Sequence, residues 1–194
     1  HYIDVIRWMI GERAPMAVTA HGSRKIIDDD ADIPDTMEVL FEFNSGALLK
    51  FSVNEACDDN APSWEIELRG TKANLQARES GYRVVPSRPG QFQTWEMAEA
   101  DEQVTIGDLL GDPEKREDST ANLVRDFLDC IKSRRTPRCP LEEGHRSTTF
   151  ALMANIALQR QKRLEWDAEE ERFTNDQEAN EMLHYDYRSP WTLG

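Results

Sequence analysis

Apolar side chains at every second position on both sides of one short turn constrain this chain more than any other feature. Met37, Val39, Phe41 and Phe43 alternate with Glu38 and Glu42. Asn44-Ser45-Gly46 then turns the chain, and Ala47, Leu49, Phe51 and Val53 return on the matching face. Successive strand side chains point to opposite sides, so a register slip of one residue would turn the whole apolar set into water. The segment is therefore predicted to be a hairpin with one apolar and one polar face.

The same logic recurs. Trp64, Ile66 and Leu68 alternate with Glu65, Glu67 and Arg69, Gly70-Thr71-Lys72 turns, and Ala73, Leu75 and Ala77 return, with one more strand over residues 82–85. Trp64 belongs by this alternation to the core. Upstream, Met16, Val18 and Ala20 share one face of a predicted strand, and Ala17, Thr19 and His21 share the other. Consecutive hairpins with one apolar face build an antiparallel sheet covered on one side only, and helices must supply the cover.

Three helices are predicted. Ile3, Ile6 and Ile10, widened by Val5 and Met9, have helical spacing, and Gly11 stands where a helix ends. Leu123, Phe127 and Ile131, flanked by Val124 and Leu128, form a stripe that starts at a cap on Ser119 or Thr120 and closes before Pro137. A third helix runs over residues 142–163, with Phe150, Met153, Ala154 and Ala157 inside. The expected fold is α+β: an open, mainly antiparallel sheet with helices packed on one face, residues 1–194 forming one domain. The polar stretch 23–34 reads as an exposed loop and a candidate border of a ligand site. The acidic run 167–171 reads as a solvated helix end or turn, and residues 86–113 are irregular and unassigned.

Composition excludes several classes. A net charge of -14 over 194 residues, with Lys and Arg scattered, repels phosphate backbones and anionic leaflets. No apolar run approaches the ~20 residues of a membrane span. Neither nucleic acid nor a membrane is an expected partner. Cys57, Cys130 and Cys139 lack CxxC spacing and read as reduced thiols, which leaves the compartment open. His1, His21, His145 and His184 show no H-x-x-x-H pairing, so no metal is expected. Neither a G-x-S-x-G nor a P-loop pattern occurs. The chain opens at His1 and runs straight into a helical pattern, so it is expected to be a piece of a longer protein.

Several segments together, in this order, resemble the C-terminal half of the Gfo/Idh/MocA family, the glucose-fructose oxidoreductase and inositol dehydrogenase-like proteins. They are His1-Tyr2-Ile3-Asp4-Val5-Ile6-Arg7-Trp8, Phe41-Glu42-Phe43-Asn44-Ser45-Gly46 and Ile66-Glu67-Leu68-Arg69-Gly70-Thr71-Lys72. Residues 122–134, Glu143-Gly144-His145-Arg146-Ser147, Leu164-Glu165-Trp166-Asp167 and Tyr187-Arg188-Ser189-Pro190-Trp191 complete the match. The resemblance implies a parent oxidoreductase that uses NAD or NADP on a sugar, inositol or related polyol. It also implies an N-terminal Rossmann domain absent from this chain. No G-x-G-x-x-G follows a strand here, and the family's Glu-Lys-Pro motif has no counterpart. No cofactor is therefore expected to bind this chain, and the chain alone is expected to be inactive.

The resemblance also singles out residues. His1 aligns with the His that ends the family's Asp-x-x-x-His motif, which implies a catalytic proton relay. The chemistry suits the residue, because alcohol oxidation needs a base of near-neutral pKa. Asp4 follows at i+3 on the same helical face and is a candidate to orient the imidazole or to accept a substrate hydroxyl, against the plain reading of a helix-surface acid. Arg7 continues that face, with a salt bridge to Asp4 or Glu12 as its expected role. His145, at the start of the third helix, is a candidate substrate-binding residue or a structural cap. Trp64, Trp166 and Trp191 are weaker candidates for stacking on a sugar ring.

Two further functions compete with the oxidoreductase reading. One is a non-catalytic module that forms a homodimer or higher homo-oligomer through the sheet face bearing Glu38, Leu40, Glu42, Leu48, Lys50 and Ser52. The other is a sugar-binding protein without turnover.

Overall fold

The computed structural model describes residues 1–56, 64–87, 102–111, 118–185 and 187–192. They fall into two compact units, one made of residue 1 with 3–58 and 141–194, the other of residue 2 with 59–140. Cys57 and part of the unassigned stretch 86–113 lie outside the described residues.

The predicted hairpin is present in the first unit as β2 (Thr36–Glu42) and β3 (Leu48–Asn54). Its register pairs Met37 with Val53, Val39 with Phe51 and Phe41 with Leu49, which puts the apolar set on one face. The Phe43 N–H donates to the Ala47 carbonyl at 3.1 Å, and the Gly46 N–H donates to the Phe43 carbonyl at 2.9 Å. Gly46 sits at φ 86, a left-handed conformation that side chains rarely adopt. β1 (Ala17–Ser23) pairs antiparallel with both β2 and β8 (Leu164–Asp167), and β8 pairs with β9 (Arg172–Phe173). The sheet order is β3-β2-β1-β8-β9.

β1 departs from the simple alternation, because Ala17, expected on the outer face, is fully buried while Met16 is exposed. The reason lies across the strands. Ala17 stands opposite Glu42 and Glu165. Arg163 ties those two together, donating from Nε and Nη2 to Glu42 at 2.6 and 2.9 Å and from Nη1 to Glu165 at 2.7 Å. This bridge crosses the small side chain and closes it off.

α1 (Tyr2–Ile10) ends at Gly11, which is left-handed at φ 71, as its position in the sequence predicts. α4 (Leu141–Arg160) supplies the cover of this sheet, with Phe150, Met153, Ala154 and Ala157 buried. The Phe150 ring lies 5.0 Å from Phe41 and 6.0 Å from Phe43, centroid to centroid. The helix stops at Arg160 rather than continuing to 163, because Gln161 turns left-handed and Leu164 enters β8. Residues 168–171 form the turn between β8 and β9, where the Asp167 carboxylate accepts from the N–H groups of Glu169 and Glu170 at 3.0 and 3.1 Å. α5 (Gln177–Glu181) follows, its N-terminus capped by Asp176.

In the loop before β2, the buried Asp35 carboxylate accepts from the N–H groups of Lys25, Ile26 and Ile27 at 2.8–3.1 Å. These bonds hold its pKa below the ordinary value of 3.8.

The second unit holds β4 (Ile66–Arg69), β5 (Ala73–Arg78), β6 (Gly81–Pro86) and β7 (Glu102–Thr105), an antiparallel sheet in chain order. The hairpins expected to share one sheet thus fall in two, because period-two alternation encodes which face a strand buries and not which strand it pairs with. β7 and α2 (Ile106–Leu110) occupy part of the stretch that carried no sequence assignment. Trp64 is half-buried instead of a full core residue, with the Arg78 guanidinium 5.3 Å from its ring centroid. α3 (Ser119–Ser133) is capped by Asp118, which accepts from Thr120 N–H at 2.8 Å, rather than by Ser119 or Thr120. Its buried Asp126 accepts from the Arg138 N–H at 2.9 Å and from Arg135 at 2.6 Å.

Candidate functional site

Arg7 decides how the first residues are held. Its side chain is only 4% exposed, and from the middle of α1 it reaches the start of α4. Nη1 donates to Ser147 Oγ at 2.7 Å, and Nη2 donates to Glu143 Oε2 at 3.1 Å. Weaker contacts run to the carbonyls of Glu143 and Arg13 at 3.5 and 3.4 Å. The expected ion pair with Asp4 is present at 3.7 Å, but Glu143 is the closer carboxylate. The Arg7 guanidinium, with Arg146 adding to its effect, holds the Glu143 carboxyl below the usual carboxylate range.

Asp4 joins this network from one turn earlier. Ser147 Oγ donates to Asp4 Oδ1 at 2.6 Å. Ser147 therefore accepts from Arg7 and donates to Asp4, and the carboxylate is fixed although it is half-exposed. A carboxylate tied at one oxygen keeps a second acceptor oxygen for a partner.

His1 stands at the open end of α1. Its carbonyl accepts from the Val5 N–H at 3.1 Å, its side chain makes no capping hydrogen bond, and it is exposed. His1 and Asp4 lie one helical turn apart on the same face. His145 is placed elsewhere. An α-helix turns about 100° per residue, so His145 lies on the opposite side of α4 from Glu143 and Ser147, which face α1. Its Nε2 is 2.7 Å from Glu171 Oε1 in the β8–β9 turn. The structure thus brings Asp4 together with the start of α4, through Ser147 and not through His145.

Arg7, Glu143 and Ser147 are the residues sequence reasoning passed over as a group. The signal was present as spacing, Asp4 to Arg7 at i+3 and Glu143 to Ser147 at i+4, but nothing in the sequence says that these two helical faces meet. Trp166 is nearly buried, edge-on to Phe173 at 5.0 Å, and Trp191 is exposed.

Every strand pairing among the described residues is antiparallel. A dinucleotide-binding fold needs parallel strands and a glycine-rich turn into a helix, and the described strands do not form one. Among the described residues no three His, Cys, Asp or Glu side chains cluster as metal ligands, and no helix is long and apolar enough to cross a membrane.

Comparison with known families matches this layout. Residues 1–76 match the GFO/IDH/MocA C-terminal domain, and residues 101–193 match the oxidoreductase family C-terminal alpha/beta domain. The chain belongs to the Gfo/Idh/MocA family. Its match is to the C-terminal domain of these oxidoreductases, as the segment resemblance implied.

Solved structures share the fold of this Gfo/Idh/MocA domain. A putative oxidoreductase from Thermotoga maritima superposes with a TM-score of 0.60 at 16% identity, covering 84% of this chain and 44% of its own. UDP-N-acetylglucosamine 3-dehydrogenase from Acidithiobacillus ferrooxidans gives 0.57 at 17% identity, covering 83% and 45%. A levoglucosan dehydrogenase in complex with NADH and L-sorbose gives 0.59 at 15% identity, covering 84% and 47%. The chain therefore spans less than half the length of these relatives. No curated protein matches it significantly by sequence.

Proposed function

We propose that this chain is the substrate-side half of an NAD- or NADP-dependent oxidoreductase acting on a CH–OH group of a sugar, inositol or related polyol. In this reading residues 1–194 are one C-terminal substrate-binding and oligomerisation domain. The chain alone is inactive, because the hydride acceptor is held by a nucleotide-binding domain that is not part of it. The observation that carries the reading is an exposed imidazole, His1, one turn before a pinned carboxylate, Asp4, in a chain of this family. The names of the relatives support the substrate class, since one acts on a nucleotide sugar and another was solved with NADH and L-sorbose.

His1 takes the hydroxyl proton of the substrate, and Asp4, steadied by Ser147, accepts a neighbouring hydroxyl or orients the imidazole. His145 supports substrate binding from a separate position beside Glu171. The test uses the full-length parent. His1→Ala is expected to lower kcat by at least ~10², the usual scale for losing a general acid or base. Asp4→Asn is expected to raise KM. An unchanged rate in His1→Ala overturns the role of His1.

A second property of the same domain rests on its sheet. Leu40 and Leu48 are exposed on the outer face, beside Lys50 and Ser52, which both contact Glu38, at 3.3 and 2.7 Å. This mixture suits a wet symmetric contact between two copies. Light scattering is expected to give a dimer or larger for the chain and a monomer for Leu40→Glu/Leu48→Glu. A monomeric wild type refutes it.

A further inference from the structure

A cavity of about 340 Å³ lies between the chain turn at residues 13–15, the second turn of α4 and the β8–β9 turn. Arg13, Arg146, Phe150, Trp166, Glu169 and Glu171 give its wall its chemical character. Neither His1 nor Asp4 lines it. We propose that this cavity is a second small-molecule site, separate from His1, for an uncharged polyhydroxylated ring.

Charge selects the class. Two guanidiniums stand against two carboxylates, so an anion meets Glu169 and Glu171 and a cation meets Arg13 and Arg146. A hydroxyl both donates and accepts, and a ring bearing several can use both kinds of group at once. Trp166 and Phe150, 9% and 1% exposed, close the floor of the cavity, so a ligand meets mainly the polar groups of its rim. The volume lies near the lower end of the range for small-molecule pockets, roughly 300–1,000 Å³, which suits one ring and not a dinucleotide.

The wall is also held in place before any ligand arrives. Arg146 Nη1 donates to Glu143 Oε1 at 2.6 Å, and Glu171 is engaged by His145 at 2.7 Å. Trp166 is only 9% exposed and lies edge-on to Phe173. Groups already fixed by neighbours lose little freedom on binding, so hydrogen bonds to a ligand are not offset by the cost of ordering them. The inference does not depend on the oxidoreductase reading, because neither His1 nor Asp4 lines the cavity and His145 enters only as the partner that holds Glu171.

Isotope-labelled chain titrated with myo-inositol and with D-glucose tests it by NMR. Amide shifts are expected to saturate at residues 13–15, 146–150 and 166–171, with D-glucuronate and D-glucosamine at least about 10-fold weaker. Ala168→Trp, which fills the cavity, is expected to abolish the response. Glu169→Gln, at an exposed position, is expected to keep the fold and weaken binding by roughly 10-fold, the scale of one lost charged hydrogen bond. The proposal is overturned by the absence of saturable shifts, by shifts confined to residues 1–10, by equal response to the charged probes, or by full binding in Glu169→Gln. A response confined to residues 1–10 would leave the His1 site standing.

Discussion

Arg7→Met removes the guanidinium that ties α1 to α4 while keeping most of the apolar stem. Two close hydrogen bonds are lost, to Ser147 at 2.7 Å and to Glu143 at 3.1 Å, with the weaker carbonyl contacts. Breaking a buried charged pair from one side costs about 3–5 kcal/mol. The acidic partners here are partly in water, with Glu143 43% and Asp4 51% exposed, so solvent restores much of what they lose. The loss at Arg7 is therefore set at about 2–3 kcal/mol, close to that of hydrogen bonds to a charged group. At roughly 2–4 °C per kcal/mol for a chain of this size, Tm of the chain is expected to fall by about 4–12 °C. Calorimetry reads the shift, and urea titration is expected to show a lower midpoint with an unchanged slope. Combining Arg7→Met with Glu143→Gln is expected to cost less than the two single losses together, because both break the same contact. A Tm within 2 °C of wild type, or strict additivity, refutes the assignment of Arg7 as the tie between the helices.

Other perturbations probe the core and the loop before β2. Phe150→Ala removes a ring that packs on Phe41 and Phe43 and is 1% exposed, and is expected to cost about 3–5 kcal/mol in chemical denaturation. Asp35→Asn is expected to lower stability at neutral pH by an amount that shrinks in acid. The folded-state pKa of Asp35 lies below its ordinary 3.8, so its contribution is complete well above that value and is lost as pH falls through the lower folded-state value. Denaturation of both proteins across that range checks it, and a gap that widens in acid refutes it.

The elements that were legible early are those with strong local patterns. Met37 to Val53 carry alternation on both sides of a turn glycine, and Phe150, Met153, Ala154 and Ala157 carry a helical stripe. Such patterns say which face is apolar, and burial enforces them. Element ends were less legible, because they depend on single caps: Asp118 and not Ser119 or Thr120 starts α3, and the left-handed Gln161 ends α4 at Arg160, three residues before the predicted limit. His1 and Asp4 were found through the resemblance and their helical spacing. Arg7 was read as a partner of Asp4, but its closer partners Glu143 and Ser147 were not, since a helix face does not name the face it meets.

The sequence by itself determined the class of the fold, the hairpin registers and the family, because each is written in short-range periodicity and in motifs read in order. Only the tertiary structure decided that β1 sits between β2 and β8, that the hairpins divide between two sheets, and that Arg163 closes over Ala17. It also decided that Ser147 pins Asp4 while His145 turns to Glu171. These are contacts between residues far apart in the chain. Their energy depends on which surfaces meet, and local pattern carries no record of that choice.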